Sequence, residues 1–169
     1  MNQVLNGRFA AEIDGDFVVF LIGMRINRLL PVHKWMPVLG AMPRMLKELE
    51  AHKECGLLGV RAFLSGRTVM TVQYWRSFDK LHEYALARDK AHLPAWAEFN
   101  RRVAGNGAVG IFHETYLVAA GQYESVYVNM PKFGLGQAAR WVPAVGRMQT
   151  AKSRLGHDAP DAPEAEVDR

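Results

Sequence analysis

Phe17 to Met24 (FVVFLIGM) is an unbroken apolar run, and it constrains everything built around it. It is rich in β-branched and aromatic residues, and neither of its alternation faces carries a polar side chain. Successive side chains of a strand point to opposite faces, so this run has to be covered on both sides and belongs inside a sheet. It is far too short to span a bilayer. Glu12, Asp14 and Asp16 precede it, the wrong charge for a secretory leader. The expectation is a cytoplasmic protein with no integral membrane association.

The segment Asn27 to Gly40 reads as irregular, broken by Pro31 and Pro37 yet hydrophobic through Leu29, Leu30, Val32, Trp35, Met36, Val38 and Leu39. It could cap a pocket as a lid or lie on a membrane surface; burial against the sheet is the simpler reading. A helix follows with Pro43 in its first turn, Met42, Met45, Leu46 and Leu49 on one face, and Gly56 as its stop. Leu57 to Leu64 and Thr68 to Trp75 read as strands joined by the Ser65-Gly66-Arg67 turn. Ser77 is the N-cap of a second helix, with Asp79 in its first turn and Phe78, Leu81, Tyr84 and Ala85 facing inward. That helix weakens at Arg88 to Ala91 and resumes to Val103. Val109 to Val118 and Glu124 to Asn129 complete the list of strands.

The order β-α-β-β-α-β, with one strand added, predicts an α+β, ferredoxin-like split βαβ domain. Helices cover one face of its antiparallel sheet, and the other must find cover. A twin sheet from a second copy gives a homodimer, the dimeric α/β barrel; the alternative cover is the Pro131 to Gly146 segment. The expected division is residues 1–150 as one domain and residues 151–169, rich in Ala, Pro and charge, as a mobile tail.

A length of 169 residues allows a proper core. Cys55 is the only cysteine, which excludes a disulfide and a cysteine-rich zinc site and makes it packing. The net charge of +4 comes from scattered bases, including Arg25, Arg28, Lys34, Arg44, Arg76, Arg101 and Arg102. No nucleic-acid motif organises them, so no nucleic-acid partner is expected. The six histidines are spread out with no metal-ligand spacing, so no metal is expected.

No phosphate loop, dinucleotide fingerprint or nucleophile elbow is present, so chemistry falls to polar groups set in apolar strands. Along Gly110 to Tyr116 (GIFHETY), alternation puts Ile111, His113 and Thr115 on one face and Phe112, Glu114 and Tyr116 on the other. His113 and Glu114 are therefore separate candidates for a base: an imidazole near neutrality or a carboxylate raised by burial. Each could equally be bonded into the sheet or a dimer interface. Tyr123, Ser125, Tyr127 and Asn129 share a face, a stripe able to bind a flat apolar ligand or to form an interface. His92, near Asp89 and Trp96, and His33 are further candidates, with solvent-exposed histidines as the simpler reading. Tyr74 and Trp75 end their strand on opposite faces, one at least packing the core.

The strings VQYWRSFDKLHEYA (72–85), HLPAWAEFNRR (92–102), GIFHETY (110–116) and YESVYVNMPKFGLG (123–136) resemble the fumagillin-pathway monooxygenase-like family of the dimeric α/β-barrel superfamily. The likeness runs from about Phe9 to Leu155. It implies oxygenation of a hydrophobic small molecule with dioxygen and without a prosthetic group. Catalysis would fall to His113 or Glu114, with Tyr116, Tyr123, Tyr127, Asn129, Trp75, Trp96 and His92 lining the substrate site. The superfamily also holds haem-dependent aldoxime dehydratases, so haem is the alternative cofactor, though no haem ligand maps across. A non-enzymatic carrier of an apolar ligand is the remaining reading.

Overall fold

The computed structural model describes residues 3–30, 32–87, 97 and 107–157. The chain forms two compact units, a central one of Phe17–Leu117 and a terminal one of Met1–Asp16 with Val118–Arg169. The second unit is assembled from segments on either side of the first.

The terminal unit opens with β1 (Leu5–Glu12). The central unit follows as β2 (Phe17–Ile26), α1 (Val32–Ala51), β3 (Leu57–Ser65), β4 (Thr68–Trp75), α2 (Phe78–Leu86) and β5 (Val109–Val118). Its sheet has the order β3-β4-β2-β5, with β4 antiparallel to both β2 and β3. That is the ferredoxin-like arrangement, and the apolar run is an interior strand, as its composition demands. Val18, Trp75, Leu49, Leu81 and Tyr84 form one core cluster under the two helices, with Phe20, Cys55 and Leu57 against it. A second joins Met24, Ile26, Ala108 and Val109 to Trp35, Val38, Leu39, Val69 and Ile111. Ser77 caps α2 by accepting from the Lys80 N–H at 3.2 Å.

The helix α1 corrects the irregular reading of Asn27 to Gly40. It begins at Val32 and keeps both Pro37 and Pro43 inside it. Each proline removes a backbone donor and crowds the preceding turn. Packing of Trp35, Val38 and Leu39 on the sheet supplies the stability that helix propensity lacks here. Trp35 also donates its indole N–H to the Leu29 carbonyl at 2.9 Å. The inner face of this segment is core, which ends the idea of a free lid over residues 27–40.

Tyr84 ties α2 to α1, its hydroxyl donating to Glu48 Oε2 at 3.0 Å. Burial first, then that hydrogen bond and the Glu48 charge, hold the phenol's pKa well above its ordinary value. The fold therefore disfavours the phenolate. This contribution is whole below the unfolded pKa of about 10 and is lost as pH rises beyond it. Tyr84→Phe is expected to cost about 0.5–1.5 kcal/mol at neutral pH and to flatten the alkaline fall in stability. Urea unfolding on both sides of the phenol's ordinary pKa checks both effects.

In the terminal unit β1 is flanked by β6 (Tyr127–Met130) and β7 (Arg140–Pro143), antiparallel to each. Sequence reading finds no strand at residues 5–12, because LNGRFAAE holds no β-branched residue; its strand character comes from its two neighbours. Likewise the strand expected at Glu124 to Asn129 starts at Tyr127 and joins this separate three-stranded sheet. Phe9 and Tyr127 both pack on Trp141, with ring centroids 5.2 and 5.0 Å away. Trp141 lies so close over α3 (Leu135–Ala138) that any side chain at Gly136 would collide with its indole. Its N–H donates to the Gly136 carbonyl at 2.7 Å.

The expected mobile tail is also corrected over its first residues. Ala151–Arg154 forms a short helix, α4. The Arg154 side chain is 4% exposed and meets Glu124 Oε2 at 2.7 Å, while donating to the Met148 and Gln149 carbonyls. Residues 158–169 lie outside the described residues. Among the described residues no helix is long and apolar enough to cross a membrane.

Candidate functional site

The helix-covered face of the central sheet holds a polar ladder in an apolar setting. Thr71, Gln73 and Trp75 of β4 alternate onto it, opposite Ile22, Phe20 and Val18 of β2. The Trp75 indole N–H donates to Gln73 Oε1 at 2.9 Å. Gln73 Nε2 donates to Thr71 Oγ1 at 3.1 Å, and the Thr71 hydroxyl reaches the Ile22 carbonyl at 3.4 Å. An indole can only donate, so it fixes which end of the Gln73 amide is oxygen. Burial is deep: Gln73 is 4% exposed and Trp75 1%. A buried polar group is costly unless paired, so each link holds the next in place.

Phe20, the cross-strand partner of Gln73, is in ring contact with His113 of β5, centroids 5.8 Å apart and tilted by 41°. Gln73, Phe20 and His113 therefore form a row across three adjacent strands on one face. The row runs from a fixed, buried amide to an imidazole exposed at the surface of the protomer. Sequence reading picks out His113 but passes over Gln73 and Thr71. Their signal is visible in TVMTVQYW, where two polar residues take inward positions of a strand otherwise apolar on that face.

Glu114 and Tyr116 share the opposite face, as alternation requires, and the Tyr116 hydroxyl donates to Glu114 Oε2 at 2.5 Å. That hydrogen bond and the carboxylate's charge raise the phenol's pKa. Both residues are exposed in the protomer. Trp75 proves to be core and an orienting group for Gln73, rather than a wall of an open site.

The tyrosine stripe lies in the terminal unit. Tyr123 Oη accepts from the Ile13 N–H at 2.7 Å and donates to the Ile13 carbonyl at 3.2 Å. Ser125 Oγ accepts from Ala11 N–H at 3.1 Å and Asn129 Oδ1 from Gly7 N–H at 2.9 Å. Tyr127 Oη accepts from Gly136 N–H at 3.1 Å. Tyr123, Ser125 and Asn129 thus bond the β1 segment with their side chains, Tyr127 bonds α3, and all four help to hold the terminal unit together. Gly7 and Asn129 both take positive φ, 110° and 50°, at the irregular register between Leu5 and Arg8. Asn is among the few side chains that tolerate this region. His33 is exposed on α1, and His92 and Trp96 lie outside the described residues. Among the described residues no three His, Cys, Asp or Glu side chains gather to hold a metal ion.

A model of the monooxygenase af470-like family matches residues 17–135, starting at the first residue of β2. The chain belongs to that family. Monooxygenase af470 of Aspergillus fumigatus is 28% identical over 94% of this chain and 69% of its own. Among solved structures, an aldoxime dehydratase crystallised with butyraldoxime superposes with a TM-score of 0.65 at 17% identity. A second aldoxime dehydratase gives 0.64 at 20%. The match takes in 82% and 85% of this chain but only 42% and 45% of theirs, so it spans less than half of those enzymes. At such identities the likeness speaks for the fold alone. Membership of the monooxygenase af470-like family makes the chain monooxygenase-like, and the row centred on Phe20 is where its fold brings polar chemistry to an apolar face.

Proposed function

We propose that this af470-like protein inserts one oxygen atom from dioxygen into a hydrophobic organic molecule without a prosthetic group, on the helix-covered face around His113. The contact of His113 with Phe20, beside the oriented Gln73 amide, carries this reading. An aromatic or polycyclic substrate stacks on Phe20 with an acidic C–H or phenol toward His113. The imidazole takes that proton, and the resulting electron-rich anion reduces dioxygen. In sum two hydrogens leave one carbon, one oxygen atom stays there as a carbonyl, and the other leaves as water. The indole fixes the Gln73 amide so that its nitrogen faces away from Trp75, and its second N–H is the donor for the developing oxyanion. Such a site gains from excluding water, which fits the apolar residues around it.

The open sheet face, with Glu114 and Tyr116, is the surface for a second copy, so the working form is a homodimeric α/β barrel. A cytoplasmic location goes with this reading. Oxygen uptake by purified protein against a panel of phenolic and polycyclic substrates tests it, with stoichiometric product formation under air and none under argon. Uptake that appears only after loading with haemin, with a Soret band saturating near one equivalent, would replace it by the haem reading. His113 is then the axial ligand to test, being the candidate histidine that stands on an apolar sheet face.

A further inference from the structure

From Phe17 through Lys47 the chain has no acidic residue, yet it carries Arg25, Arg28, Lys34, Arg44 and Lys47. Within that stretch α1 has turned Trp35, Val38 and Leu39 into the core. Leu29, Leu30, Val32 and Met36 remain outside, Leu30 at 79% exposure. The β3–β4 hairpin is fastened beside them: Ile26 N–H donates to the Arg67 carbonyl at 2.8 Å, and Arg67 Nη1 reaches the Asn27 carbonyl at 3.5 Å. This brings up Leu64, 76% exposed. The turn itself is pinned, with Asn27 and Arg28 N–H on the Ala108 carbonyl and Asn27 Nδ2 on that of Gly107. The leucines are thus held outward by a well-bonded turn. Arg25, Arg28 and Arg67 are exposed around them, and none is in an ion pair with a described residue.

We infer that this end of the central unit, formed by residues 25–30 and 32–36 and the 64–67 hairpin, is a docking surface for an anionic lipid bilayer. Outward leucines and a methionine suit the boundary of headgroups and acyl chains, and a rim of arginines suits lipid phosphates. A second copy fits poorly, because a two-fold contact would set arginine against arginine. Residues 25–36, 64–69 and 107–113 contain no carboxylate to offset them. The docking is peripheral, and it does not depend on which reaction the protein carries out.

Flotation of the full chain with phosphatidylcholine vesicles, with and without phosphatidylglycerol, tests the inference. The protein is expected to float with the anionic vesicles at low salt. It stays behind with neutral vesicles, or in about 0.5 M salt, where surface charges are screened. The pairs Leu30→Glu with Leu64→Glu and Arg28→Glu with Arg67→Glu each lower the bound fraction about tenfold or more. Lys53→Glu with Arg76→Glu, at the other end of the sheet, keeps most of it. All three keep the circular dichroism spectrum and unfolding midpoint of the parent. Absence of flotation, equal loss in the control pair, or a dimer that turns monomeric on Leu30→Glu with Leu64→Glu would each overturn the inference.

Discussion

Replacing His113 by alanine is expected to lower kcat/KM for oxygen-dependent turnover by about 10²- to 10⁴-fold, the range for loss of a positioned general base. The same change leaves stability nearly untouched. His113 is exposed in the protomer, and among the described residues its ring contact is with Phe20; surface substitutions away from special features stay within about 0.5 kcal/mol. Steady-state oxygen uptake and urea unfolding on the same preparation separate the two effects. Glu114→Gln is the internal control. Glu114 lies on the other face, bonded to Tyr116, and its replacement is expected to change turnover only slightly. If Glu114→Gln abolishes turnover while His113→Ala retains it, the reacting face is the open one and the base is the carboxylate.

Trp75→Ala is expected to have the largest effect on stability, about 3–5 kcal/mol. That is a large part of the total for a domain of this size. Trp75 is fully enclosed, packs with Val18, Leu49, Leu81 and Tyr84, and stands 5.9 Å from the Tyr84 ring. Its loss leaves a cavity at the junction of both helices and removes the donor to Gln73 Oε1. Trp75→Phe fills most of the cavity and isolates the second effect, about 1–3 kcal/mol for an orphaned buried carbonyl. Urea midpoints with unchanged slopes check both. A Trp75→Ala protein of parental stability whose only defect is a raised KM would make the indole a substrate wall instead.

The central unit was legible because its signals are local. β4 and β5 fall on the expected residues, since apolar alternation and a tight turn leave little choice of register. The Ser77 cap was equally plain. What escaped depends on partners far along the chain. Tyr123 and Asn129 look like a ligand-facing stripe until their acceptors meet Ile13 and Gly7, more than a hundred residues earlier. The first half of α1, up to Gly40, escaped because Pro37 argues against a helix there and only the packing of Trp35, Val38 and Leu39 overrules it; the second half was legible, though Pro43 lies inside the helix and not in its first turn. His113 and the opposite orientation of Glu114 were readable from period two alone. Gln73 was not singled out, because its importance lies in the indole that aims it.

The position of β1 between β6 and β7 has a consequence for biosynthesis. A ribosome delivers β1 before the whole of Phe17–Leu117 and its two neighbours only after it. Until then β1 offers two bare edges, the kind of surface that recruits other nascent chains. Its short apolar content, with Asn6, Gly7 and Arg8 at its start, keeps those edges unattractive during the wait. A chain halted before Tyr127 would hold a complete central sheet and an orphaned first strand.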